Sequence, residues 1–209
     1  MASHCQPIDI KRRIPRQERA ERTVEAIMEG AAQILEAGGL AALTTNAVAE
    51  RAGVSIGTLY QYFSDKNALL VAMAKREVAA TLAAVARAWQ SQADTTMEGR
   101  VRGMVRAVLN AFSGRQRVRK ALVQAIFAQG VGNELMLPVA AFTATAGEGA
   151  RQEGAPALSH EQAFVISRAL MGAIRAAVLE DQPFFKSRAF EDELVRLVLA
   201  YLGALKASG

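Results

Sequence analysis

The stretch "TTNAVAERAGVSIGTLYQYFSDKNALL", Thr44 to Leu70, decides the fold. Two short apolar-patterned segments flank Gly53-Val54-Ser55, and Tyr60, Tyr62 and Phe63 crowd into four positions of a chain with only 6% aromatic residues. Thr44 or Thr45 is suited to N-cap a short helix running to about Ala52, and Gly53 accepts the positive φ needed past a helix end. Ser55 then caps a second short helix that carries Leu59 and ends near Phe63. Ser64 is expected to cap the next helix, with Asp65 in its first turn. Two short helices joined by a tight glycine turn make a helix-turn-helix. Ala49 and Ala52 are small where the helices must approach, Val54 fits inside the turn, and Leu59 and Phe63 pin the second helix to the first. Ser55, Gly57, Thr58, Tyr60, Gln61 and Tyr62 are left without a core duty.

Working outward, the apolar set Val24, Ile27, Ala31, Ile34 and Leu35 recurs at helical steps from Gln17 to Ala37, and Gly38-Gly39 ends that helix. The helix after Ser64 continues through Leu69, Leu70, Met73, Val78 and Leu82 to about Trp89. Thr95-x-x-Glu98 reads as a capping box before a helix with Val101, Met104, Val105, Val108 and Phe112. Gly114 breaks that pattern, and a further helix holds Val118, Leu122, Ile126 and Phe127 before Gly130 and Gly132. Residues Glu134 to Gly154 give no clear pattern. Ser159-x-x-Gln162 is a second capping box, opening a helix that Asp181-Gln182-Pro183 ends, and His160 is simply a first-turn residue there. The last helix carries Phe190, Leu194, Leu197, Val198, Tyr201, Leu202 and Leu205. No alternating strand pattern and no internal repeat is present, so the fold is expected to be all-α.

The 209 residues, 51% apolar and 22% charged, suit a globular protein with a sizeable core. No apolar run approaches the roughly 18 to 20 residues that span a bilayer, so no membrane segment is expected. "MASHCQPIDIKRRIPRQE" does not read as a secretory signal, and a lone Cys5 forms no internal disulfide, so a cytoplasmic location is expected. The net charge is +5 and the isoelectric point about 9.7. Six bases against three acids fall between Met1 and Arg22, in an arm suited to DNA phosphates or the minor groove. Arg100 to Lys120 holds seven bases and no acid, and reads as solvated helix faces. His4 and His160 have no ligand-spaced partners, so no metal site is expected. No Ser-His-carboxylate set and no phosphate-binding glycine loop occurs, so neither catalysis nor a cofactor is expected.

In helix-turn-helix units the early residues of the second helix meet base edges in the major groove. Gly57 lets the backbone come close to DNA, Thr58 offers a hydroxyl and a methyl, and tyrosine hydroxyls reach phosphates or bases. Asn46 is a competent adenine reader. Lys66 adds charge beside helix-end N–H groups that favour a phosphate.

Over roughly residues 17 to 70, and most specifically in "AGVSIGTLYQYFSDK", the sequence resembles the DNA-binding domain of TetR/AcrR-type bacterial transcriptional repressors. The resemblance implies a homodimer with an N-terminal helix-turn-helix domain, residues 1–63, and a larger helical domain, residues 64–209, that holds an inducer pocket and the dimer interface. It carries DNA contacts onto Thr45, Ser55, Gly57, Thr58, Tyr60, Tyr62 and Lys66, with Asn46 and Gln61 beside them. The partners implied are a palindromic double-stranded operator and a small hydrophobic inducer.

For the inducer, Met104, Phe112, Phe127, Met136 and Phe142 are candidate pocket residues, since Met and Phe suit a plastic apolar site. The acid-free, base-rich run from Gly99 to Asn133 points to a neutral or anionic inducer, an acid being held by an arginine such as Arg102 or Arg106. The last two helices are the candidate dimer interface, through Ala169, Gly172, Ala173 and Ala176 on one and Phe190, Leu194, Leu197, Tyr201 and Leu205 on the other. Two other readings stand beside this one. In the first, the helix-turn-helix is structural within a protein-interaction module, and salt-dependent binding to DNA separates the two. In the second, the chain is a helical enzyme acting on a small molecule, which the missing catalytic constellation disfavours.

Overall fold

The computed structural model describes residues 16–91, 96–128, 130 and 158–207. Among them are eight α-helices, one short 3₁₀ helix and no strand. α1 spans Arg16–Ala42, with a kink at Gly39, whose φ of 68° ends the regular helix two residues past the expected Ala37. α2 is Thr45–Arg51, capped by Thr44, whose hydroxyl accepts from the Ala47 N–H at 3.2 Å. Gly53 turns the chain at φ 67°, and Ser55 caps α3, Ile56–Tyr62, by accepting from the Thr58 N–H at 3.0 Å.

α4, Lys66–Gln90, is capped by Asp65 and not by the expected Ser64. One carboxylate oxygen of Asp65 accepts from the N–H groups of Asn67 and Ala68 at 2.7 and 2.9 Å, and Ser64 donates to the other at 3.3 Å. A carboxylate satisfies two orphan donors at once and its charge suits the positive helix end, which favours the later cap. The same two backbone bonds hold the Asp65 carboxyl below its ordinary pKa.

Two cores follow. The first joins α1 through Ile27, Ala31 and Leu35, α2 through Val48, α3 through Leu59, the start of α4 through Leu69 and Leu70, and α6, Gln116–Ala128, through Val118 and Leu122. Gly30 matters here: a Cβ on it would lie 3.2 Å from the Ala52 backbone nitrogen, so the glycine lets the end of α2 sit close against α1. The second core takes Val85 from the far end of α4, then Val101, Val105 and Leu109, Ile166 and Ile174, Phe185, and Leu194, Val195 and Val198. α4 is therefore a single 25-residue rod with one end in each core.

α5, Met97–Ala111, starts from Thr96, whose side chain accepts from the Gly99 N–H at 3.0 Å. The expected cap was Thr95, which lies outside the described residues. Glu98 pairs with Arg102 one turn on, at 3.1 Å. Gly114, at φ 101°, separates α5 from α6, Gln116–Ala128. The capping box of Ser159 and Gln162 forms as expected and opens α7, His160–Leu179. Asp181 adopts φ 53°, a conformation Asp tolerates, and a short 3₁₀ turn, Pro183–Lys186, leads into α8, Arg188–Ala207. The 3₁₀ turn is not legible as a helix in the sequence, being only four residues long. Residues 131–157, with Gly132, lie outside the described residues.

One expectation needs correcting. α7 is long and apolar enough by length and composition to cross a membrane, with a mean hydropathy of 1.4 over its best window. The sequence run looks shorter because Arg168 and Arg175 interrupt it. Two arginines about two helical turns apart are costly in lipid, and α7 packs instead against α6 and α8.

Candidate nucleic-acid interface

α2 and α3 meet through Val48, Ala49 and Leu59, all buried, and Phe63 at the end of α3 closes the same core. Anchoring these residues fixes which side of α3 faces outward. Tyr60 is 52% exposed and Tyr62 38%, with Ser55, Gly57 and Gln61 exposed around them and Thr58 half-buried. Asn46 is exposed and Thr45 half-buried on the first turn of α2. The two helices are tied across this face, since the Tyr60 hydroxyl lies 3.3 Å from Thr45 Oγ1. Ser55 Oγ, besides capping α3, lies 2.8 Å from Thr58 Oγ1. From Thr44 to Ser64 the only charged residues are Glu50 and Arg51, so the outward face is neutral, polar and aromatic. A surface of hydroxyls, amides and aromatic edges on a rigidly held short helix can enter a DNA groove and bond base edges.

Residues 27–73 match the family described as bacterial regulatory proteins, tetR family. The match spans the whole helix-turn-helix and the parts of α1 and α4 that pack against it. Over these residues the chain is similar to the TetR family. Three solved structures share its fold along nearly their full length. A TetR transcriptional regulator from Rhodococcus is 18% identical, with a TM-score of 0.62 over 88% of this chain and 98% of that one. A TetR-family transcriptional regulator from Streptomyces coelicolor is 21% identical, with a TM-score of 0.61 over 89% and 98%. The fatty acid degradation regulator FadR from Bacillus halodurans is 16% identical, with a TM-score of 0.60 over 88% and 94%. At these identities the likeness establishes the fold. No curated protein matches the sequence.

The sequence-expected DNA residues Thr45, Asn46, Ser55, Gly57, Thr58, Tyr60, Gln61 and Tyr62 all lie on α2, α3 or the turn between them. Lys66 is exposed at the start of α4. One detail differs from expectation: Asp65 already takes the Asn67 and Ala68 N–H groups, so Lys66 does not stand beside a bare helix end. Sequence reasoning missed Ile56, an exposed apolar residue on the same face.

The bases of the Arg100–Lys120 run are not plain solvated faces. Arg102 pairs with Glu98, Glu191 and Asp192, and Arg106 with Glu191 at 2.7 Å. Arg115 pairs with Glu29, Arg119 with Glu77 and Lys120 with Asp181. Arg117 donates to the Ala37 carbonyl at 2.7 Å, at the end of the regular part of α1. Apart from Glu98, the acids they need lie far away in sequence, which is why a local reading left them unpartnered.

The pocket candidates among the described residues do not converge. Met104 packs on the second core. Phe127 is 53% exposed, with the Arg175 guanidinium 4.4 Å from its ring centre. Met136 and Phe142 lie outside the described residues. Phe112 lines a cleft of about 220 Å³ between α5, α6, the end of α7 and the 3₁₀ turn, together with Arg119, Val178, Asp181, Phe185 and Lys186.

Proposed function

We propose that the chain is a homodimeric repressor that binds a palindromic operator and is released by a small hydrophobic inducer. In this reading residues 1–63 read DNA, residues 64–209 sense and dimerise, and the protein acts in the cytoplasm. The observation that carries it is the outward face of α3, where Tyr60 and Tyr62 stand exposed on a helix whose other side is pinned by Leu59. Two recognition helices set about 34–36 Å apart by a dimer engage successive major grooves. A ligand that prefers another spacing lowers DNA affinity by linkage. α4, α6 and their ion pairs join the two cores, which supports such a linkage.

The cleft at Phe112 supports an inducer that is neutral or anionic. Arg119 and Asp181 on its wall are already paired, with Glu77 and Lys120, while Lys186 has no acidic partner among the described residues. Lys186 therefore replaces Arg102 and Arg106 as the cation available to an acid, since those two are held by Glu191 and Asp192. FadR, which shares the fold, is a regulator of fatty acid degradation, in accord with a lipophilic acid.

The experiment is quantitative footprinting on DNA flanking the protein's own gene, across a salt series. Protection of a two-fold symmetric site is expected, with affinity falling steeply as salt rises. Lys66→Ala should shallow the salt slope by about one unit per subunit. Salt-insensitive association with DNA, or none, would remove the reading. Lipophilic acids, neutral aromatics and lipophilic cations then form the matched inducer panel, and release by the cations alone would overturn the inducer class.

A further inference from the structure

We infer that Ile56 and Thr58 read thymine C5-methyl groups, so that the operator half-site presents A·T pairs to α3. The inference rests on the DNA-binding reading above and names which bases that surface selects.

Three observations carry it. Ile56 is 38% exposed on a face where every other outward residue of α3 is polar, aromatic or glycine, and it has no place in either core. Its position is not demanded by packing, yet it leaves apolar area in water that a methyl group would cover. Thr58 is half-buried and has its hydroxyl engaged by Ser55 Oγ at 2.8 Å, so its methyl is the part of the side chain free of polar bonding. Between them Gly57 sits in ordinary helical conformation, and a Cβ there would meet only Ser55 Oγ at 3.8 Å. Nothing inside the protein requires glycine at that point, although glycine weakens a helix. The bare backbone lets a neighbouring molecule approach between the two methyl-bearing side chains.

Charge supports the same choice. α3 and the first turn of α2 carry no Arg or Lys, and these are the side chains that form the commonest specific contact to guanine. The amides present, Asn46 and Gln61, are exposed and bond adenine in a bidentate manner. The thymine C5-methyl lies in the major groove and is the one apolar group that distinguishes a base edge there. An isoleucine and a threonine methyl flanking a glycine complement that group, and the amides complement the adenine paired with it.

The test uses the full-length protein. A random duplex library is selected for binding, and each thymine of the enriched site is then replaced singly by deoxyuridine, which removes only the methyl. At one or two positions per half-site, deoxyuridine is expected to weaken binding about fourfold, the effect of uncovering one buried methyl. In Ile56→Ser the penalty at one of those positions should vanish, while in Lys66→Ala it should persist on a uniformly weaker background. Because Ile56 is exposed, Ile56→Ser leaves the fold intact, and circular dichroism verifies this. A deoxyuridine-insensitive site, a half-site that is G·C at the contacted steps, or an unchanged penalty in Ile56→Ser would overturn the inference while leaving DNA binding in place. A library from which nothing is enriched would instead remove the DNA-binding reading along with it.

Discussion

Arg115, the residue before α6, grips Glu29 on α1 with two parallel bonds, Nη2 to Oε1 at 2.7 Å and Nη1 to Oε2 at 3.0 Å. It belongs to a set: Arg117, Arg119 and Lys120 follow within the first turns of α6. Positive charge at a helix N-terminus opposes the helix dipole. Each of these bases offsets that cost by reaching to another element, Arg117 to the Ala37 carbonyl, Arg119 to Glu77 on α4 and Lys120 to Asp181 beyond α7. The geometry makes α6 the strap between the DNA-binding core and the C-terminal helices. It also holds the Glu29 carboxyl below its ordinary pKa, chiefly through the Arg115 bond.

For this pair we expect a small effect on stability. Both side chains are about half exposed, and exposed ion pairs contribute roughly 0.2–1 kcal/mol. Glu29→Gln, Arg115→Ala and the double variant, compared by urea unfolding, should give a coupling energy in that range that shrinks in high salt. A coupling well above about 2 kcal/mol, or one indifferent to salt, would contradict a solvated pair.

Tyr60 and Thr45 should act as a unit in DNA binding. Their hydroxyls meet at 3.3 Å between α2 and α3, so Tyr60→Phe and Thr45→Val remove the same bond. We expect the two single variants to lose similar operator affinity and the double variant to lose little more. Leu59→Ala is the contrasting case. Its side chain is fully buried, and deleting it should cost about 2–5 kcal/mol of stability before any effect on DNA is read. Additive losses in the Tyr60 and Thr45 double variant would show that the bond does not organise the surface.

The elements that proved legible from sequence have local causes. Thr44, Gly53 and Ser55 specify the ends of α2 and α3 by their own chemistry, and Leu59 and Phe63 specify which side is buried. Features that depend on distant residues were not legible. Nothing near Arg102 announces Glu191 and Asp192, which lie some ninety positions away in sequence. Ser64 and Asp65 are both good caps, and only the geometry of two N–H bonds to one oxygen decides between them. Nothing in the sequence around Ile56 tells which way it faces. Its exposure follows from Leu59 and Phe63 fixing the helix rotation.

Leu194 and Leu197 lie on one stripe of α8 but in different surroundings. Leu194 is 3% exposed within its own subunit's core, while Leu197 is 40% exposed. On α7 a Cβ added at Gly172 would meet nothing within 4 Å, so that side is open as well. If the last two helices form the dimer interface, Leu197→Arg should yield a folded monomer, and Leu194→Arg should unfold the chain. Sedimentation velocity with circular dichroism separates these outcomes. A folded dimer in Leu197→Arg would place the interface elsewhere.

The start of α8 should make stability fall in acid. Arg106 bonds Glu191 through two nitrogens, and Arg102 reaches Glu191 and Asp192. Arg106 first and Arg102 second hold the Glu191 carboxyl below its ordinary 4.5, and Arg102 holds that of Asp192 below 3.8. The arginines are pushed further up and stay charged throughout. A carboxyl whose folded pKa lies below its unfolded pKa adds stability that is complete above the unfolded value. That stability drains away as pH falls through the folded value, because the unfolded chain then binds more protons. The affected window therefore opens near pH 5 and extends below 4. The Glu191 side chain is only 13% exposed, so without its cations it would be a poorly solvated anion whose pKa is no longer depressed. In Arg102→Gln/Arg106→Gln the protein should be less stable at pH 7. Its loss of stability between pH 7 and 3.5 should also be smaller than in the wild type. Urea midpoints measured across that range test this, and parallel pH profiles for the two proteins would show that these pairs do not set the acid limb.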